Sequence, residues 1–329
     1  MASLLLDVRS NRYNITDPSM CTVDTCPINS SYYYYRVSLA ANVVFLCLFS
    51  LSLIAFILTY GLTRRALAFS VAFFCGVILE VLGYVGRILS WHDQWTENGF
   101  LMQIVCLTIA PAFMAGGIYL CLRRIVYAFG PDNSRITPES YTRIAAGGGL
   151  ASAESHENKS SELGDHIMVA GLAFQVLTLF VFICLCIDFA IRTRRRFASL
   201  GEAAFDQNAL FVSLRGSWRF KGFLAALTLA TICIFWRSVF RVAELSEGWS
   251  GAIIRKQNLF IGFEGVMVIV ACLSLNFFHP ALCFKEGITG LGGLGSSRKA
   301  KGLKQPAQVA GGMSASSSEV ERSTEKPVV

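Results

Sequence analysis

Residues 38–60 read SLAANVVFLCLFSLSLIAFILTY, an uncharged stretch followed almost at once by Arg64 and Arg65. As a helix rising 1.5 Å per residue it is about 34 Å long, enough to cross the roughly 30 Å hydrocarbon core of a bilayer. Its apolar residues run on without alternating, which excludes a β-barrel strand. Five more such stretches follow, near 66–89, 100–122, 167–191, 222–243 and 259–284. The 329-residue chain is 53% hydrophobic and only 16% charged, against about 25% charged residues in soluble domains. That leaves too little charge to cover a soluble surface. Soluble enzymes, coiled coils, collagen-like chains and wholly disordered chains are therefore excluded. The fold class is all-α, a polytopic bundle of transmembrane helices.

The chain divides into an extracellular N-terminal segment over 1–37, a helical bundle over 38–284, and a disordered cytoplasmic tail over 285–329 rich in Gly, Ser and Lys. The net charge of +7 comes from 29 Lys and Arg against 22 Asp and Glu. It reads as membrane topology and not as nucleic-acid binding, because the basic residues gather at the ends of apolar runs. Arg64 and Arg65, Arg123 and Arg124, Arg192 and Arg194–Arg196, and Lys285 to Lys304 mark cytoplasmic ends, whereas the loop over 90–99 has no Lys or Arg. Asn14 and Asn29 open glycosylation sequons in the N-terminal segment. Cys21 and Cys26 lie in the same polar segment and are candidates for a disulfide. Cys47, Cys75, Cys106, Cys184, Cys186, Cys233 and Cys272 lie within apolar runs, as small hydrophobes. Residues 1–10 hold only three leucines before Asp7, so no cleavable signal is visible and the first span serves as the insertion signal.

An N-terminus outside and a C-terminus inside require an odd number of crossings, but six are legible. The mismatch falls between Arg143 and Asn158, where only residues 144–151 are apolar.

Several segments together resemble one family. They are Ser38-Leu39-Ala40-Ala41-Asn42, Leu79-Glu80-Val81-Leu82-Gly83-Tyr84-Val85-Gly86-Arg87, Leu107-Thr108-Ile109-Ala110-Pro111-Ala112-Phe113, Gly171-Leu172-Ala173-Phe174-Gln175, Arg237-Ser238-Val239-Phe240-Arg241-Val242-Ala243-Glu244 and His279-Pro280. Over about 32–284 the chain resembles the fungal lipid-translocating exporters, the RTA-like or aminocholesterol-resistance proteins. The resemblance implies seven spans with the N-terminus outside. It also implies export of sphingoid long-chain bases or related amphiphiles, with roles in lipid asymmetry and resistance to toxic lipids. Tyr141-Thr142-Arg143-Ile144 runs straight into Ala145-Ala146-Gly147-Gly148-Gly149. Measured against the family, one span is truncated there, by on the order of 12–16 residues.

Ionisable residues at membrane depth are costly and mark function or pairing. Glu80, Tyr84 and Arg87 share a helical face at i, i+4, i+7, and Arg237, Arg241 and Glu244 repeat that spacing. Glu264 lies two turns into the last span. The topology sets these seven residues in the outer half of the bundle, with three acids balancing three arginines. As a substrate site, Glu80 or Glu264 faces a lipid amine while an arginine meets a phosphate or hydroxyl headgroup. As structural pairs, Arg87–Glu244 or Arg241–Glu264 hold helices together.

Lesser features read as architecture. Asp188 and Arg192 form an i, i+4 pair, Pro111 kinks the third span and frees a carbonyl, and Gln103 and Gln175 bond across helices. Tyr32–Tyr35, Trp91, Trp95 and Trp249 form an interfacial belt. The four histidines, His92, His156, His166 and His279, lack metal spacing. There is no P-loop, Gly-x-Ser-x-Gly or His-Glu-x-x-His. The expectation is a non-enzyme without cofactor or metal, whose partners are membrane lipids and sphingoid bases and not nucleic acid, placed in the plasma membrane. The alternative is a seven-helix receptor or sensor of an amphiphile.

Overall fold

The computed structural model describes residues 21–64, 66–129, 161–201, 209–247 and 255–283. The segment in which one span reads as truncated, Asn14, Trp249 and the tail from 285 lie outside the described residues. A short 3-10 turn, Ile28–Ser30, precedes the bundle. The helices are α1 Leu39–Thr63, α2 Leu67–His92, α3 Glu97–Phe129, α4 Ser161–Leu200, α5 Ala209–Gly216 and α6 Trp218–Ser246. The last span comes in pieces. It starts as α7 Gln257–Phe260, passes through a π-helical turn Ile261–Val266, and continues as α8 Met267–Phe277 and α9 Pro280–Cys283. Six helices among the described residues are long and apolar enough to cross a membrane. The polytopic all-α architecture expected from sequence is what forms.

The helices are apolar all round, so burial is read from which side is shielded. On α1 the buried residues are Asn42, Phe45, Phe49, Ser52 and Phe56, at spacings of three and four. Val44, Leu51, Ile54 and Leu58 point outward, as on a lipid-facing helix. The polar residues Asn42 and Ser52 thus turn inward, the reverse of a soluble helix. Ser52 Oγ accepts from Asn276 Nδ2 of α8 at 2.6 Å, one of the polar links that fix helix pairs where no water competes.

Packing order follows from the loops and the small residues. Arg64 ends α1 in the left-handed region at φ 49°, its N–H donating to the Tyr60 carbonyl at 2.7 Å, so α2 turns back beside α1. α2 then packs between α1 and α3; α6 packs on α3, α4 and α8; and α8 closes onto α1. The α2–α3 seam is the tightest. A Cβ on Gly86 would lie 2.9 Å from the Gly99 carbonyl oxygen, and one on Gly83 would lie 2.5 Å from the Leu107 side chain. The two backbones meet because those positions carry no side chain.

Residues 21–37 close one end of the bundle. Cys21 and Cys26 are joined by a disulfide with Cα atoms 5.4 Å apart. Trp95 Nε1 donates to Ser30 Oγ at 3.1 Å, and Tyr32 stacks on Phe100 at 4.8 Å between ring centres. Tyr32, Tyr33 and Trp95 are buried. They are therefore not an interfacial belt facing lipid headgroups; they form a lid packed onto the helix ends, because hydrogen bonds and ring stacking draw them inward. Trp91 is half-buried, with the Arg36 guanidinium 5.9 Å from its ring centre.

A buried charge cluster as the candidate functional site

All seven ionisable or phenolic residues singled out from sequence are buried, and they line the inside of the bundle on three helices. α2 supplies Glu80, Tyr84 and Arg87 from its inward stripe. α6 supplies Arg237, Arg241 and Glu244 from the equivalent stripe, and the π-turn of the last span supplies Glu264. The spacing that put each triplet on one face in sequence puts it on the inner face in space. Depth differs from expectation for one of them. Glu80 lies thirteen residues from Leu67 and twelve from His92, so it sits at the middle of its span and not beyond it. Arg237 lies nine residues from Ser246 and Glu264 seven from Gln257, nearer the lidded end.

The pairing also differs from expectation. Arg87–Glu244 and Arg241–Glu264 do not form. Arg237 Nη2 bonds Glu264 Oε1, and both side chains are fully enclosed. The same Nη2 donates to the Leu107 carbonyl. That carbonyl lies four residues before Pro111, so it is the one left without a helical N–H donor by the proline. The backbone defect in α3 and the guanidinium on α6 thus satisfy each other. Arg241 pairs within its own helix, Nη1 to Glu244 Oε2 at 2.5 Å, because i, i+3 neighbours on α6 are closer than the facing span.

Arg87 has no carboxylate partner among the described residues. Its Nε donates to Asn42 Oδ1 at 2.9 Å and its Nη2 to the Tyr35 hydroxyl at 3.2 Å. Its guanidinium lies 3.8 Å from the centre of the Phe260 ring and 5.6 Å from that of Tyr33. Cation–π attraction and neutral acceptors replace an ion pair here. Tyr33 in turn donates to Gln103 Oε1 at 2.8 Å and lies 2.9 Å from Ser90 Oγ. Burial pushes the Tyr33 hydroxyl up to about 12, so it stays a neutral donor at physiological pH.

Glu80 is the exception. It is fully buried and neither carboxyl oxygen has a hydrogen-bond partner among the described residues. Arg237, Glu264 and Arg241 are the charged groups within electrostatic range of it. Tyr84, one turn away, stacks on Phe49 with ring centres 5.4 Å apart, and its hydroxyl is likewise unpartnered. The cluster is therefore polarised. A cation without a counter-charge, Arg87, stands at the lid; an acid without a partner, Glu80, stands two turns deeper, about 10 Å along the helix axis.

Between lid and cluster lies a cavity of about 30 Å³, lined by Tyr33, Tyr35, Arg87, Arg241, Glu244 and Phe260 among others. It has room for a water molecule. Asn42, Tyr33, Tyr35, Phe260 and the Leu107 carbonyl belong to the site but were not singled out as members from sequence. The signal for Asn42 was a lone amide in step with inward Phe45 and Phe49; the ring residues gave none.

Other residues fall outside the cluster. Asp188 and Arg192 form the expected pair, at 3.0 Å on the half-exposed end of α4. His279 is buried at the other end of the bundle, beside the rings of Phe56 and Phe69, and its Nδ1 accepts from the Ala281 N–H at 3.1 Å as α9 begins. The Asn29 side chain is exposed. No group of His, Cys, Asp and Glu among the described residues is arranged to hold a metal ion.

The profile of the RTA1 like protein family matches residues 73–287. The chain is 34% identical over 262 residues to the sphingoid long-chain base transporter RSB1 of Saccharomyces cerevisiae, covering 70% of this chain and 69% of that protein. It is 29% identical over 233 residues to protoporphyrin uptake protein 1 of the same yeast, covering 66% and 71%. It is 26% identical over 223 residues to the yeast protein RTM1, covering 64% and 67%. No solved structure matches the chain.

Proposed function

This chain belongs to the RTA1-like protein family, and we propose that it is an integral membrane transporter that exports sphingoid long-chain bases or closely related amphiphiles. The observation that carries the proposal is Glu80, a fully buried carboxyl with no partner among the described residues, inside a bundle similar to a protein named for sphingoid base transport. A sphingoid base carries an ammonium group and hydroxyls on a long alkyl chain. In this reading Glu80 takes the ammonium, and Tyr84 and Arg87, whose positions lie beyond it toward the lid, take the hydroxyls. Arg237, Arg241, Glu244 and Glu264 form a charged frame around Glu80 without bonding it.

The rest of the reading follows from membrane physics. Residues 21–37 face outward and the tail from 285 faces the cytoplasm, because basic residues favour the cytoplasmic side. The odd parity this needs is supported by α3 and α4. α3 ends with Phe129 beside Phe189, while Met168, near the start of α4, packs at the opposite, lidded end against the cluster of Tyr32 and Phe100. The plasma membrane is the proposed location, since export of a toxic base relieves a cell only there. Movement is of intact lipid, without a bond made or broken. Transporter and uptake names among the relatives favour transport over an amphiphile receptor.

Purified protein in sealed vesicles tests the proposal. Labelled sphingoid base should cross with a rate that saturates, and its N-acetylated analogue, which has no ammonium, should not be carried. Equal, unsaturable movement of both in vesicles with and without protein would overturn it.

A further inference from the structure

We infer that Glu80 carries an exchangeable proton in the empty bundle and releases it, one for one, when a long-chain amine binds, so that export of the amine is coupled to a proton moving the other way. This inference rests on the transport proposed above and adds the coupling.

Its basis is a mismatch of charge at the centre of the bundle. Two carboxyl groups, Glu80 and Glu264, share that layer with one guanidinium, Arg237, whose Nη2 is committed to Glu264 and to the Leu107 carbonyl. The next cation toward the lid, Arg241, is held by Glu244 at 2.5 Å. Arg87 lies farther out, engaged by Asn42, Tyr35 and the Phe260 ring. The other titratable groups facing Glu80 are neutral in their ordinary forms: Tyr84 on its own helix, Cys106 on α3 and Cys272 on α8. The facing residues of α1 near Tyr84 are the rings of Phe45 and Phe49.

Among the described residues one acid is thus in excess over the cations able to reach it. An ionised carboxylate enclosed without a hydrogen bond or counter-ion is strongly unfavourable, and such a group neutralises instead. Glu80 can do so in two ways, by holding a proton or by holding another cation. The two are mutually exclusive on one carboxylate.

The exchange balances. The protonated Glu80 carboxyl and the long-chain ammonium ion give a carboxylate–ammonium ion pair and one proton, released to water on the side to which the bundle is open. The O–H bond of the carboxyl breaks, its electron pair stays on the carboxylate oxygen, and the amine keeps its own proton. One positive charge replaces another, so the buried layer stays neutral overall. When the amine leaves on the far side, a proton from that side returns to Glu80. A proton gradient directed inward therefore drives the amine outward, with no nucleotide site required.

The test uses the purified full chain in nanodiscs with sphingosine as probe, in weakly buffered solution with a pH indicator. About one proton should appear per sphingosine bound, and the apparent Kd should fall about tenfold per unit rise in pH while the amine stays charged. Glu80→Asp keeps a carboxyl and should keep proton release. Glu80→Gln, checked for unchanged helix content and thermal unfolding, should release none and bind more weakly. Sphingosine binding without proton release, at a Kd independent of pH, would overturn the coupling and leave the transport reading standing. Undiminished release from Glu80→Gln would also overturn it, by assigning the proton to another group. No sphingosine binding by the folded protein would overturn both readings.

Discussion

Removing Glu264 and Glu80 separately and together measures how the central charges share one another. Arg237 and Glu264 are enclosed, and breaking a buried ion pair by deleting one partner costs about 3–5 kcal/mol. Glu80 lies idle within electrostatic range of Arg237, and two nitrogens of that guanidinium, Nε and Nη1, have no partner among the described residues. Glu264→Gln should therefore let Arg237 turn to Glu80, which cuts the cost to about 1–2 kcal/mol. Glu80→Gln breaks no hydrogen bond and replaces one neutral group by another of the same shape, so it should cost less than about 1 kcal/mol. The double variant leaves Arg237 enclosed without a carboxylate to balance its charge and should show the full cost of about 3–5 kcal/mol. The two substitutions should then be non-additive by about 2 kcal/mol. Reversible unfolding in mixed micelles with increasing dodecyl sulfate, followed by circular dichroism, reads all four proteins. If Glu264→Gln alone costs the full amount and the double variant no more, Glu80 cannot reach Arg237 and the shared-charge argument fails. If Glu80→Gln alone costs more than about 3 kcal/mol, Glu80 is a structural partner and not a free acid.

Three further predictions address the surroundings of the cluster. Gly86→Ala drives a methyl into the Gly99 carbonyl, 2.9 Å away, and should destabilise the bundle by about 1–3 kcal/mol. Gly262→Ala meets nothing within 4 Å and should show only a small propensity effect in the same unfolding assay. Arg87→Lys loses the ring stacking and both hydrogen bonds of the guanidinium, so transport should fall at least severalfold although the charge remains, as read by vesicle flux. Replacing Cys21 and Cys26 together by Ser removes a short five-residue link worth about 2 kcal/mol to local order, so protease should cut residues 21–37 faster while the span helices keep their stability.

How much of this was legible in the sequence depended on which physical signal was in play. Uninterrupted apolar runs located all six spans, because hydrocarbon thickness sets a length that few other structures imitate. Helix ends were less legible. α4 continues to Leu200, past the apolar run ending near 191, because Arg192 and Arg194–Arg196 are good helix formers in water. The runs mark the membrane and not the end of the helix. The charged members of the site stood out because charge at membrane depth is rare. Their partners did not, since pairing depends on helix rotation and relative height. Arg241 found Glu244 one turn away on its own helix, and Arg237 took both Glu264 and the carbonyl opposite Pro111. The tyrosines near 32–35 were misread because an aromatic cluster at a span edge has the same composition whether it faces lipid or folds over the bundle. Only Tyr33 bonding to Gln103, and Tyr35 to Arg87, distinguishes the two.

The central claim is that a long-chain amine passes through this bundle by way of the Glu80 carboxyl. Its most direct test is efflux of a labelled sphingoid base from cells that lack related exporters, comparing the protein with its Glu80→Gln variant at equal surface amounts. The account predicts efflux above background with the protein and a fall to background with Glu80→Gln. Efflux undiminished by that substitution, or no efflux from well-expressed protein, would contradict it.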